Sequence, residues 1–237
     1  MSTVKDDPCA GIILDFVAGG VPDNPSGEAH GNYNAYFGHA LSTADLSMNT
    51  LGGIYRFQDT MLARDRRSTA LGRYQFLRKT LQDLQRFSSL SDSEPFTPEL
   101  QDRLAVLLLN RRGYAEWQDE KIDDKEFAHR LSMEWASLPD PDNGGRSHYD
   151  GDSVGNHAST TLDAVYSMLK QARDADSTQP APKPIPAPAP SPTVVSDYLI
   201  VLQAFMQASG DYTGEIDGLD GPLTRAALAA ITKRTQQ

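Results

Sequence analysis

Seven prolines fall on every second position from Pro180 to Pro192, and a chain with that run cannot fold as one continuous unit of helix or sheet. Proline fixes φ and has no N–H to donate, so the stretch can join neither a helix interior nor a central strand. It reads as an extended tether of roughly 50 Å at about 3.1 Å per residue; a ligand for a proline-binding domain is the alternative use. The 237 residues are therefore expected to divide into a domain over 1–175, a linker over 176–193 and a small unit over 194–237. The first piece is long enough for a sizeable core, whereas the last is marginal alone and suits a compact binding module.

The expected fold class is mostly α (α+β), with a small hairpin region. Thr97-Pro98-Glu99 supplies a capping hydroxyl, a proline for the first turn and an acid. Leu100, Leu104, Leu107 and Leu108 then fall on one helical face, and Arg111-Arg112-Gly113 ends it. Helices are also expected over Ser68–Leu84, Lys125–Trp135 and Ser159–Ala172. Residues 20–55 are rich in Gly, Asn, Ser and Tyr and should hold loops and a hairpin. Beyond the tether, Val194–Gln207 and a segment opening at Gly221-Pro222 both read as amphipathic helices.

Composition removes whole classes of function. The net charge is −10, which argues against nucleic acid as a partner. The stretch from Arg56 to Arg86 runs against that balance, with eight bases and three acids; it is either a salt-bridged face or one turned toward an anionic polymer. The longest apolar run, Leu104 to Leu109, is far short of a membrane span. Cys9 is the only cysteine, so neither an internal disulfide nor a multi-cysteine metal site is possible. The histidines (His30, His39, His129, His148, His157) are scattered and read as surface or satisfied core groups. No metal or cofactor is expected. Asp217 and Asp220 lack the alternating acids of a calcium loop and read as a turn. The N-terminus shows no signal peptide, so synthesis in the cytoplasm and a monomer are expected.

Two segments carry candidate chemistry. In Gly27-Glu28-Ala29-His30-Gly31-Asn32-Tyr33-Asn34, a lone acid precedes aromatics, and desolvation there would raise its pKa as a general acid requires. In Ser68-Thr69-Ala70-Leu71-Gly72-Arg73-Tyr74-Gln75, glycine permits close backbone approach, while Arg, Tyr and Gln offer donors and a stacking ring suited to sugar.

The run Ser68–Leu77, then Phe96-Thr97-Pro98-Glu99-Leu100-Gln101-Asp102, then Glu134-Trp135-Ala136-Ser137-Leu138-Pro139 resembles the phage lambda lysozyme family of muramidases. Gly145–Gly151 is similar to prophage members of that group, and the resemblance spans roughly residues 11–173. It implies a lysozyme-like helical domain that cleaves the β-1,4 bond between N-acetylmuramic acid and N-acetylglucosamine in peptidoglycan. Glu28 holds the place of the family's catalytic glutamate, although Pro22 and Pro25 interrupt the segment where a helix should lead into it. The implied substrate contacts are Tyr33, Asn34, Ser68, Thr69, Gly72, Arg73, Tyr74, Gln75 and Tyr149, with Gln75 and Tyr74 holding the sugar and Arg73 pairing with an acid or a peptide carboxylate. Glu134 reads as a helix-surface residue.

The resemblance implies a lytic transglycosylase working with one acid. Hydrolysis is the alternative; it needs a second carboxylate about 5–5.5 Å away for retention or 6.5–9.5 Å for inversion. Asp45, Asp59, Asp65 and Asp150 are candidates. A wall-binding protein without catalysis is a further alternative. Leu202-Gln203, Gly214–Gly218 and Gly221-Pro222-Leu223-Thr224 resemble the small helical peptidoglycan-binding module of wall hydrolases, which implies wall contacts through Tyr212, Asp217, Asp220, Thr224 and Arg225. Together these imply action in the periplasm or cell wall, after release through a holin or a secretion system.

Overall fold

Asp7 caps the first helix: its Oδ1 accepts the Ala10 N–H at 2.8 Å, and Pro8 stands where a missing N–H costs nothing. The helix, α1, runs over Pro8–Ala18. This computed structural model describes residues 4, 7–64, 67–177, 213, 214 and 223. The chain separates into two compact units, residues 1–180 and 181–237. The proline tether and the helix expected at Val194–Gln207 lie outside the described residues, as does all but Leu223 of the segment opening at Gly221.

Six more helices follow in the first unit: α2 (Leu51–Ala63), α3 (Arg78–Phe87), α4 (Pro98–Arg111), α5 (Tyr114–Gln118), α6 (Asp124–Ser132) and α7 (Leu162–Ser177). The fold is mostly helical, as the apolar periodicity predicts, and is consistent with a lysozyme-like domain. Thr97 caps α4 by accepting the Leu100 N–H, and Asp123 caps α6 by accepting the Glu126 N–H at 2.8 Å. No described helix is long and apolar enough to cross a membrane.

Helix α1 is the axis of the core. Ala10, Ile13, Leu14, Val17 and Ala18 are fully buried, and the helix packs along α7 and against α4. An apolar circumference of this kind belongs to a helix enclosed on all sides. Each fully buried Leu or Ile contributes about 1.5–3 kcal/mol of transfer free energy. At the far end, the Trp117 ring stacks on Phe127 with centroids 4.9 Å apart and lies under the Arg173 guanidinium at 4.2 Å.

Two expectations need correction. The helix foreseen over Ser68–Leu84 begins only at Arg78. Residues 68–77 form a tight loop in which Leu71 and Phe76 pair, because Gly72 and Gln75 both take positive φ, which helix forbids. The hairpin foreseen within 20–55 is absent: among the described residues no strand forms, only isolated bridges such as Tyr36 with His39 and with Leu71. Asparagine side chains there satisfy the backbone in place of a ladder. Asn32 Nδ2 donates to Ala40 O and Ser42 O, and Asn34 Oδ1 accepts the Leu46 N–H. The interruption read from Pro22 and Pro25 is present, by contrast: no helix leads into Glu28, since α1 stops at Ala18.

Candidate functional site

Glu28 is placed by a loop that folds back onto the end of α1. The Glu28 N–H donates to Val17 O and the Ala29 N–H to Ala18 O, both at 2.9 Å. The return over 19–27 is held by Asn24, whose Nδ2 donates to Phe16 O at 3.0 Å and whose Oδ1 accepts the Gly27 N–H. Gly19 and Gly27 make the crossing possible. A Cβ on Gly19 would lie 2.2 Å from Ser26 O, and one on Gly27 would lie 2.4 Å from Gly19 N. Both glycines have positive φ, the region open to residues without a Cβ. Pro22 and Pro25 sit in this loop and set its turns.

The Glu28 side chain is half-buried, and its Oε1 accepts the Ser137 N–H at 2.9 Å. Burial pushes the carboxyl above the usual carboxylate range; the Ser137 amide and hydroxyl pull it partly back, and the charge of Glu134 pushes it up again. Among the described residues the buried Ser137 hydroxyl has no other hydrogen-bond partner.

Glu134 is not the surface residue expected. Its side chain is only 7% exposed, with Oε1 accepting from Arg111 Nη2 and Oε2 from Arg112 Nε, both at 2.7 Å. Two guanidiniums pair with this acid, while burial drives Glu28 toward its neutral form. Tyr149 lies by the same cluster: its hydroxyl donates to Met133 O at 2.7 Å. Burial raises its phenol, with opposing effects from Arg112 and Glu134.

The proposed sugar contacts divide. Arg73 and Tyr74 are withdrawn from any ligand: each is 2% exposed. Arg73 Nη2 pairs with Asp15 at 2.9 Å, and the Tyr74 hydroxyl donates to Asp102 at 2.6 Å. Tyr33 joins this network, donating to Asp102 at 2.9 Å while accepting from Arg73. Gly72 is buried too, its φ of 76° letting Gln101 fill the space of a side chain. These residues hold a loop together, and Arg73, Tyr74 and Gly72 are buried within it. Asn34, Ser68, Thr69 and Gln75 are half-buried and keep surface. Thr69 Oγ1 accepts the Arg78 N–H and Gln75 Nε2 donates to Gly72 O.

Of the other candidate second carboxylates, Asp45, Asp59 and Asp150 are surface groups. Asp45 caps a turn, Asp59 pairs with Arg78 and Asp150 with Arg146, while Asp65 lies outside the described residues. The basic run from Arg56 to Arg86 is in part self-neutralised, through the Arg78–Asp59, Arg73–Asp15 and Arg86–Asp83 pairs. Of the proposed wall contacts, Tyr212, Asp217, Asp220, Thr224 and Arg225 lie outside the described residues.

Sequence reasoning missed Ser137 and Glu134 as groups acting on Glu28. The only available signal was their place in the Trp135-Ala136-Ser137-Leu138-Pro139 block. It also left His129 and His148 apart, though Asp140 brings them together.

Residues 55–168 match the family model described as Endolysin. The match spans just under half of the chain. It supports an endolysin-like catalytic domain, and so an enzyme that degrades the peptidoglycan of the cell wall. The endolysin-like segment includes Glu134, Ser137 and Tyr149 but begins downstream of Glu28. No curated protein and no solved structure matches the chain significantly.

Proposed function

We propose that this endolysin-like chain cleaves the β-1,4 bond between N-acetylmuramic acid and N-acetylglucosamine as a lytic transglycosylase, with Glu28 as its one acid–base group. The observation that carries the reading is the Glu28 carboxyl itself, half-buried, raised in pKa and oriented by the Ser137 N–H. A neutral carboxyl donates its proton to the glycosidic oxygen as the C1–O bond breaks. The carboxylate left behind then takes the proton of the muramyl C6 hydroxyl as that oxygen closes on C1. The products are an N-acetylglucosamine end and a 1,6-anhydro ring; Glu28 is again protonated and no water is consumed.

A second reading has a specific observation behind it. Glu134 is a charged carboxylate whose field reaches Glu28. A pair of acids suits hydrolysis, one donating and the other stabilising the oxocarbenium ion or activating water. We favour the single-acid route because both Glu134 oxygens are engaged by Arg111 and Arg112, which leaves little freedom for attack.

In this reading residues 1–175 are the catalytic domain, 176–193 the tether and 194–237 a peptidoglycan-binding module working through Tyr212, Asp217, Asp220, Thr224 and Arg225. In this reading the chain reaches the wall through a holin or a secretion system. The test is mass spectrometry of muropeptides released from purified Gram-negative peptidoglycan. Products lighter by one water, with no new reducing ends, support the transglycosylase. Reducing N-acetylmuramic acid ends establish hydrolysis and turn attention to Glu134. Wall binding with no release of products overturns both.

A further inference from the structure

The geometry points to a zinc site on the rear of the 137–149 segment, formed by His129, Asp140 and His148. These residues come from three separate pieces of chain. His129 lies in the last turn of α6, and Asp140 precedes the short turn Pro141–Asn143. His148 follows the bridge that pairs Ser147 with Pro139. His129 Nδ1 stands 2.8 Å from Asp140 Oδ1, and His148 Nδ1 stands 2.8 Å from Asp140 Oδ2. One ligand atom from each of the three lies within 4.8 Å of the others. The two imidazole planes are inclined at 70° with centroids 5.9 Å apart, so they converge on the carboxylate without stacking.

Two imidazole nitrogens and a carboxylate oxygen are a borderline donor set. Zinc takes it readily, whereas calcium and magnesium require oxygen throughout. Tetrahedral bonds of about 2.0–2.1 Å place ligand atoms about 3.3 Å apart, so the imidazole bonded to the ligating oxygen must draw back by roughly 0.5 Å and the other must turn toward that oxygen from its neighbour. The imidazoles can supply that movement, being 25% and 34% exposed, while the carboxylate is 3% exposed and anchored by the Asp142 N–H. Binding needs no net proton loss from a neutral imidazole: each ring moves its proton from Nδ1 to Nε2, and the freed Nδ1 lone pair meets the ion.

The surroundings favour a cation. A depression of about 170 Å³ opens onto His129, lined also by Asp123, Glu126, Asp142 and Lys125. Three of these four are acids, and Lys125 is already paired with Asp142 at 2.8 Å. Asp142 Oδ2, 3.7 Å from His129 Nδ1, is within reach as a further ligand, with water completing the shell. Bound zinc would fasten α6 to the loop that carries Tyr149, whose ring meets His148 edge-on at 5.0 Å.

The experiment is calorimetric titration of ZnCl₂ into the tag-free, EDTA-stripped full chain, with thermal unfolding followed in parallel. One ion per chain at micromolar affinity or better is expected, and the melting temperature should rise with zinc. His148→Ala, at an exposed position, should weaken binding by at least about tenfold and abolish the thermal shift, and His129→Ala should do the same. His157→Ala, outside the cluster, should leave both unchanged. Cobalt should develop the visible absorption of a tetrahedral site in the wild type and lose it in His148→Ala. No saturable binding at about 1 mM zinc, or an affinity untouched by His148→Ala, overturns the assignment. Should His129→Ala fail to fold, His148→Ala decides alone.

Discussion

At the scale of single residues, Glu28 should announce its protonation state in both stability and rate. A carboxyl whose pKa is raised on folding keeps a proton that the unfolded chain has released, so between the two pKa values stability falls as pH rises. Glu28 therefore costs stability at neutral pH and nothing below the ordinary carboxylate range. Glu28→Gln should melt higher than the wild type at neutral pH and alike at about pH 3.5. The same variant should lose lysis by at least about a hundredfold while still binding walls, which turbidity and pelleting assays check. In the wild type, kcat/KM should fall on the alkaline side as Glu28 ionises. Glu134→Gln removes the like charge, so that alkaline limb should move to lower pH with little change in the maximal rate. A collapse of kcat by about 10²-fold or more would instead make Glu134 the second catalytic acid. Arg73 belongs to a different account. Removing one partner of its buried pair with Asp15 leaves an uncompensated charge, and Arg73→Ala should cost about 3–5 kcal/mol in denaturant unfolding. Composition pointed at Arg73 and Tyr74 as sugar contacts because their donors suit sugar; only the structure reveals that the Arg73 Nη groups and the Tyr74 hydroxyl are engaged inside the chain.

At the scale of elements, the junction between α1 and Glu28 matters most. Amphipathic spacing made α4, α6 and α7 legible, and for α4 so did Thr97 at its start, because both are local signals. The loop at 19–27 is not local in that sense. It exists because Gly19 and Gly27 let two backbones touch while Asn24 ties the return to Phe16 O. Gly19→Ala should be among the most harmful single changes. It adds about 1–2 kcal/mol for the positive φ alone, and its Cβ would collide with Ser26 O. The expected outcome is a large drop in melting temperature and loss of lysis, since the Val17–Glu28 pairing rests on that crossing. Thr97→Ala, by contrast, should cost about 1 kcal/mol and leave the rate unchanged. Likewise, the error over Ser68–Leu84 came from treating apolar spacing as sufficient. Gly72 and Gln75 adopt positive φ there, and periodicity carries no information about that.

For the molecule as a whole, the proposed division of labour sets an expectation for binding. With a net charge of −10, the chain gains no general electrostatic attraction to an anionic wall. If residues 194–237 carry a second binding site on the tether, deleting them should weaken retention on peptidoglycan by on the order of a hundredfold. The loss should be greatest at low enzyme concentration, and a co-sedimentation series measures it. Cleavage of short soluble muropeptides should hardly change, which separates a tethered anchor from a part of the catalytic cleft.

The sequence by itself determined the mostly helical class, the capped helices and the proline run, because each follows from neighbours within a few residues. It also placed a lone acid ahead of a glycine- and aromatic-rich loop. The tertiary structure alone decided what environment that acid has. Ser137, 109 residues from Glu28, orients its carboxyl. Glu134 adds its charge to that environment, and Asp102 and Asp15 take up the side chains that composition had offered to sugar. Asp140 gathers two histidines 19 residues apart in the chain. Such contacts depend on how helices pack and loops return, and the pattern along a single chain does not encode which distant polar groups will meet.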